Sequence, residues 1–362
     1  MGKPYLNLET KDCNKLLQKH PEEWTLCLGA GINNKVLPDW SELTLNVINK
    51  VFKFGWDKTT FEINNKSIGF SYDSWIQACL NRHVEYGNKV DSFHKILENE
   101  IYGDLILKAE SEGIRELLIK FLNRPQMQRK PQKMVTDFFE KHYANTTLMQ
   151  LVDVLTSDSN THRLPDKIIT FNADTLLYSL IVAYSEIKYS TLKNPKALEP
   201  YKLILKSYHS WGNKIPILHL HGSIYPELIL PKTKRPKKQD GRDNLIFLES
   251  SYTKVAGSMY TWAQTNFLYS ALNTKIIFLG LSMSDPNIRK WLNWTTENVN
   301  ADLTSFQKIG INSNKHIWLK PRPSSKETQD FLQSSLTHLG VKMGWIDNYG
   351  QVKSSLLNIM EK

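Results

Sequence analysis

Leu26-Cys27-Leu28-Gly29-Ala30-Gly31-Ile32-Asn33 is the stretch on which the reading of the fold turns. It closes an apolar run, 24–28, with no polar alternation, as expected for a strand covered on both faces, and then enters a Gly-x-Gly turn. Glycines there let backbone N–H groups approach a phosphate, with the start of the next helix behind them. An ordinary tight turn uses the same residues. Similar short runs recur at 168–171, 215–220, 245–248, 275–279, 316–319 and 341–345. Helical patterns lie between them: 41–54 carries Leu43, Val47, Ile48, Val51 and Phe52 on one face, and 176–184 directly follows the second strand. The alternation predicts an α/β fold with a doubly wound, mostly parallel sheet of Rossmann-like type.

Between about 45 and 165 the strand signal nearly vanishes, and patterns such as 111–122 and 133–143 are helical. The expectation is a helical lobe, 45–165, inserted between the first two core strands of a single domain covering 1–362. The segments 326–339, 341–345 and 353–360 read as helix, strand and helix closing that domain.

Bulk properties narrow the classes. The 362 residues are 41% hydrophobic and 11% aromatic, which excludes wholesale disorder. Cys13, Cys27 and Cys79 lie far apart with no CxxC pair, so the chain offers neither a four-cysteine zinc ribbon nor a disulfide framework. Residues 1–6 carry no apolar signal region, Leu6 disfavours myristoylation, and the longest apolar run, 276–283, is too short to cross a bilayer. A soluble, cytoplasmic chain without a membrane partner is expected. The net charge of +10 gathers at Arg124, Arg129, Lys130 and Lys133, and again at Lys232, Lys234, Arg235, Lys237 and Lys238. Prolines punctuate both stretches, which read as surface loops, 124–133 and 232–238. Few aromatics interleave, so solvated loops are favoured over a nucleic-acid groove, although a nucleic acid, a protein partner or an anionic cofactor would use the same charge.

Four motifs carry candidate chemistry. After the Gly-x-Gly turn, Leu37-Pro38-Asp39-Trp40-Ser41-Glu42 reads as a turn into a capped helix, with Asp39 and Glu42 spaced as a capping box. Ile168-Ile169-Thr170-Phe171-Asn172-Ala173-Asp174 places two polar side chains at a strand's carboxyl end, where ligands bind in open α/β sheets. Asp174 could simply cap the next helix. Asn172 has no such local use, and its amide suits a ribose hydroxyl or a water. Leu218-His219-Leu220-His221-Gly222-Ser223 ends another strand; His219 reads as a core or supporting histidine, His221 as a candidate general base. Finally, Gly280-Leu281-Ser282 ends the run 276–279, and Asp285-Pro286 opens a helix.

In this order, from about Trp24 to Leu319, the four motifs resemble the SIR2-like superfamily, and its bacterial antiphage NAD-consuming branch more than its protein deacylases. The resemblance implies Gly29, Ala30 and Gly31 at the NAD+ phosphates, with Asn33 where the family usually has serine. It implies Pro38 and Asp39 over the nicotinamide ribose, Asn172 near the ribose and the attacking water, and Asp174 near the carboxamide. His221 matches the catalytic histidine, and Gly280 with Ser282 the adenosine side. Two further departures are Ser41, where the deacylases carry arginine, and Ala173 between Asn172 and Asp174. The family's deacylases build a zinc module on four cysteines, which three scattered cysteines cannot supply, so no zinc is expected and water is the simpler acceptor. The implied activity is NAD+ glycohydrolysis to nicotinamide and ADP-ribose, depleting NAD+ in abortive antiphage defence. The alternatives are an NAD-dependent deacylase or ADP-ribosyltransferase, and a non-catalytic nucleotide-binding subunit. Control is expected from assembly into a homo-oligomer or from a separately encoded partner such as a HerA-like ATPase.

Overall fold

The computed structural model describes residues 24–157, 162–189, 200–207, 209–227, 245–257, 261–305 and 315–360. Seven strands form one parallel sheet: β1 (Trp24–Leu28), β2 (Lys167–Thr170), β3 (Tyr201–Ile204), β4 (Ile215–His219), β5 (Lys275–Leu279), β6 (His316–Pro321) and β7 (Val341–Ile346). The spatial order is β3-β4-β2-β1-β5-β6-β7. The chain builds outward from β1 on one side, then crosses back to place β5 against the other flank of β1. That reversal opens a crevice at the carboxyl ends of β1 and β5, where open α/β sheets bind their ligands.

The unbroken apolar runs are explained by the two faces of the sheet. Leu26, Leu28, Ile168, Ile217, Ile277 and Ile317 point into one core, while Cys27, Ile169, Leu218, Phe278 and Trp318 point into the other. Each large side chain so buried contributes about 2 kcal/mol. Between β1 and β2 lie α1 (Trp40–Phe52), α2 (Lys58–Ile68), α3 (Tyr72–Glu85), α4 (Val90–Ser111), α5 (Arg115–Asn123), α6 (Arg129–Tyr143) and α7 (Thr147–Leu155). Their apolar faces, including Val47, Trp75, Tyr102, Phe121, Phe139 and Leu151, join the first core without a break. The remaining helices are α8 (Leu176–Tyr189), α9 (Glu249–Gly257), α10 (Trp262–Asn273), α11 (Pro286–Ser305), α12 (Lys326–Thr337) and α13 (Val352–Met360).

The parallel α/β sheet read from the sequence is the one formed, with local differences. Residues 245–248 are not a strand: Ile246 and Phe247 are buried as a cover over the sheet's edge, and a four-residue apolar run cannot distinguish the two uses. The edge strand β3 carries almost no sequence signal, because Tyr201–Ile204 is short and interrupted by exposed Lys202. The pattern at 111–122 is two helices, since Gly113, at φ +70°, breaks the chain after α4. Arg129, Lys130 and Lys133 sit on α6 rather than in a loop. Pro131 is tolerated there because the first turn of a helix has no intrahelical use for its N–H. The stretch 232–238 lies outside the described residues, as does Cys13. No helix among the described residues is long and apolar enough to cross a membrane.

Candidate active site

The Gly-x-Gly turn after β1 is locked onto the turn after β5. Gly29 N–H donates to Leu279 O (3.1 Å) and Gly31 N–H to Gly280 O (2.9 Å). A Cβ on Gly29 would lie 2.7 Å from Gly280 O, and one on Gly31 2.9 Å from the same oxygen. Gly280 itself sits at φ +71°, where a Cβ would lie 2.7 Å from the backbone nitrogen of Ile32. These glycines therefore serve the close approach of two strand ends, and the N–H groups of Gly29 and Gly31 are engaged within the protein. Ala30 is the member of the turn that faces the neighbouring cavity.

That cavity gathers Ala30, Asn33, Pro38, Asn172 and Asp174, residues spread over 145 positions in the sequence, because β1 and β2 are paired and their carboxyl ends emerge side by side. Phe171, Ala173, Leu37, Leu43 of α1 and Ile101 of α4 complete its walls, and Trp40 and Phe247 close it, their ring centroids 4.9 Å apart. Its volume is about 40 Å³. Ligand pockets run from about 300 Å³ upward, so the described conformation is closed to a dinucleotide.

Asp174 does both things its sequence context allowed. One carboxylate oxygen accepts the Leu176 N–H (3.0 Å) at the start of α8, and the other accepts the Asn33 amide (2.6 Å). Burial nevertheless pushes its carboxyl up to about 6, the hydrogen bonds from Leu176 and Asn33 opposing the shift. Asn172 is held by its backbone: its N–H donates to Thr170 Oγ1 (3.1 Å), and its carbonyl accepts from His219 Nδ1 (3.0 Å). His219, brought down to about 4 by burial, is thus a neutral support for Asn172. On the far side Ala173 O accepts the Ile224 N–H (2.7 Å), and Tyr102 of α4 donates its hydroxyl to Ile224 O (2.8 Å). Among the described residues the buried Asn33 Oδ1, Asn172 Oδ1 and His221 Nε2 have no hydrogen-bond partner. Leaving such atoms bare costs roughly 1–3 kcal/mol each, which marks this edge of the sheet as the candidate site.

His221 does not line the cavity. It lies behind Phe171, which does, and its ring is held nearly perpendicular to those of Phe171 (4.8 Å) and Tyr252 of α9 (5.3 Å). Burial brings its imidazole down to about 3, so it is neutral throughout the working pH range. Asp39 is exposed and accepts the Glu42 N–H (2.9 Å), capping α1. Ser282 is exposed, its hydroxyl paired with that of Ser284 (2.6 Å), and Asp285 caps α11 through the N–H groups of Asn287 and Ile288. Sequence reasoning misses Trp40, Ile101, Tyr102, Phe247 and Tyr252. Trp40 adjoins the Pro-Asp pair and Phe247 lies in a run that reads as a strand, but nothing local marks Ile101 or Tyr102, which arrive from the helical lobe.

The doubly wound parallel sheet, with polar side chains at its carboxyl edge, defines the class as an α/β protein of Rossmann-like type. More narrowly, residues 166–339, from β2 through α12, match the family model described as a SIR2-like domain. SIR2-like domains bind NAD+, and the superfamily comprises NAD-utilising enzymes. No curated protein shows significant similarity to the chain. The glycine turn, Asn33 and Pro38 precede the matched span and reach the site through the pairing of β1 with β2 and β5.

The raised Asp174 carboxyl has a measurable consequence. Ionised Asp174 destabilises the folded state above about pH 6, a cost that disappears as pH falls through about 6 toward the ordinary carboxylate value of 3.8. Asp174→Asn removes that cost, and Asn33 can turn its unpartnered Oδ1 toward the new amide. The variant should be more stable than the natural chain by roughly 1–3 kcal/mol at pH 7.5, with the advantage vanishing near pH 4. Thermal melts across that range check it; equal stability at all pH values would contradict it.

Proposed function

We propose that the chain is an NAD+ glycohydrolase that splits NAD+ and water into nicotinamide, ADP-ribose and a proton. The carrying observation is the pair of buried, unpartnered polar atoms, Asn172 Oδ1 and His221 Nε2, at the carboxyl edge of a SIR2-like domain. The C1′–N bond breaks with its electrons passing to the cationic ring nitrogen, so nicotinamide leaves neutral. The site has only to hold that bond, stabilise the oxocarbenium charge and present water. Asn172 would hold the water or a ribose hydroxyl, its backbone fixed by Thr170 and His219. His221, neutral, would accept from that hydroxyl or water, and Asp174, paired with Asn33, would orient the carboxamide.

The three cysteines of the sequence cannot form the four-cysteine module of the deacylases, which favours water over an acyl-lysine as acceptor. The setting proposed with it is depletion of NAD+ in antiphage defence, under control of assembly into a homo-oligomer or of a separately encoded partner such as a HerA-like ATPase. The test is incubation of purified protein with NAD+, with and without an acyl-lysine peptide. Release of nicotinamide and ADP-ribose at the same rate in both supports hydrolysis; nicotinamide release only with peptide, accompanied by deacylated peptide and O-acyl-ADP-ribose, would establish the deacylase reading instead.

A further inference from the structure

Residues 245–252 touch His221, Trp40 and the cavity wall together. Ile246 N–H donates to His221 O (3.0 Å), and the Tyr252 ring stands at 88° to the His221 imidazole. Phe247, 4% exposed, meets Trp40 over the cavity of about 40 Å³. The same segment is tied to the helical lobe at one place: Gln77 Oε1 of α3 accepts from the Ser250 hydroxyl (2.8 Å) and from the Ser250 N–H (3.3 Å). Gln77 is itself aimed by its Nε2, which donates to Asn81 Oδ1 (3.0 Å). Ser250 is exposed, so water can replace its side of this pair readily, whereas Phe247 and Ile246 are buried and re-close the strap when it falls back.

We propose that residues 245–252 form a strap that closes the nicotinamide end of the site and seats His221, with the Gln77–Ser250 pair as its latch to the lobe. The inference rests on the reading of this cavity as the place where NAD+ is cleaved. A cavity of about 40 Å³ is too small for the nicotinamide end of NAD+, so binding takes place with the strap lifted, and the strap falls back against His221 when the products have left. Trp40 belongs to α1 and Gln77 to α3, so the lobe holds the roof from two sides, and the position of α3 sets how often the strap opens.

The test reads access to the cavity without using substrate. Ala173 lines the cavity and is buried; Ala173→Cys in a Cys13→Ser background places a thiol there. Cys27 and Cys79 are buried, with thiols that burial raises far above the working pH, so they contribute little background. Iodoacetamide labelling of this thiol should quicken at least fivefold on adding Gln77→Ala, which removes both bonds to Ser250, about fivefold being the factor for one net hydrogen bond. Ser250→Ala removes the hydroxyl's bond and leaves the longer one from the N–H, so it should quicken labelling about fivefold, and Ala30→Cys is a second reporter on the same wall. NAD+ affinity by calorimetry should rise by the same factor, since binding draws on the open fraction. Unchanged labelling in both latch variants overturns the strap, as does faster labelling with unchanged NAD+ affinity. Absence of NAD+ binding in every variant overturns the proposed function instead, and the labelling ratio then decides the strap alone.

Discussion

Replacing Asn172 with alanine is expected to lower NAD+ cleavage by roughly 100- to 1,000-fold, the usual loss when one preorganised polar group is removed from a transition state. The fold should not suffer. Asn172 Oδ1 is buried without a partner, and the contacts that fix the loop run through its backbone to Thr170 and His219, which alanine keeps. Removing an unsatisfied buried acceptor is neutral or stabilising. The melting temperature should therefore hold or rise while turnover collapses, a combination that a structural asparagine cannot produce. His221→Ala should lower turnover by about 100- to 10,000-fold. It should also cost some stability, because the imidazole fills the space between Phe171 and Tyr252. The double variant should be far less impaired than the product of the two effects, since both groups act on the same ribose and water. Turnover of Asn172→Ala within a few-fold of the natural chain would remove Asn172 from the mechanism.

The second large effect concerns stability. Gly280→Ala places a Cβ at φ +71°, 2.7 Å from the Ile32 nitrogen and 3.0 Å from Gly29 O. Both neighbours are backbone of the turn that carries Asn33, so neither can swing aside. The expected loss is about 3–5 kcal/mol, from a left-handed alanine together with overpacking. Gly55 supplies the control. It sits at φ +67° with nothing within 4 Å of where a Cβ would lie, so Gly55→Ala bears the conformational cost alone, about 1 kcal/mol. Denaturant unfolding of both variants separates the two contributions. Equal losses would mean that the β1 and β5 turns are not interlocked. Because Ile32 precedes Asn33, a surviving Gly280→Ala protein should also bind NAD+ more weakly.

Much of this architecture was legible in the sequence because strand and helix periodicity are local. The runs at 24–28, 275–279 and 341–345 declare strands buried on both faces, and the parallel sheet follows from their alternation with helices. The motifs after those strands were also readable, since chemistry at the carboxyl edge of such a sheet is a general rule. Length and context limited the rest: 245–248 has the composition of a strand but is used as a cover, and Tyr201–Ile204 is a strand with too little sequence to show it.

What the sequence by itself determined was the parallel sheet and the polar residues standing at its edge. Only the tertiary structure decided what each of them does. Asp174 looked like a helix cap and is one, yet its second oxygen holds Asn33, 141 positions earlier, and no local pattern announces that bond. The glycines looked like a phosphate cradle and are spent instead on packing two strand ends, because β5 returns beside β1. Ile101 and Tyr102 reach the site only because the lobe folds back over the sheet. The physical reason is the same in each case: burial and hydrogen bonding between distant segments depend on strand order and crossover, which local periodicity does not encode.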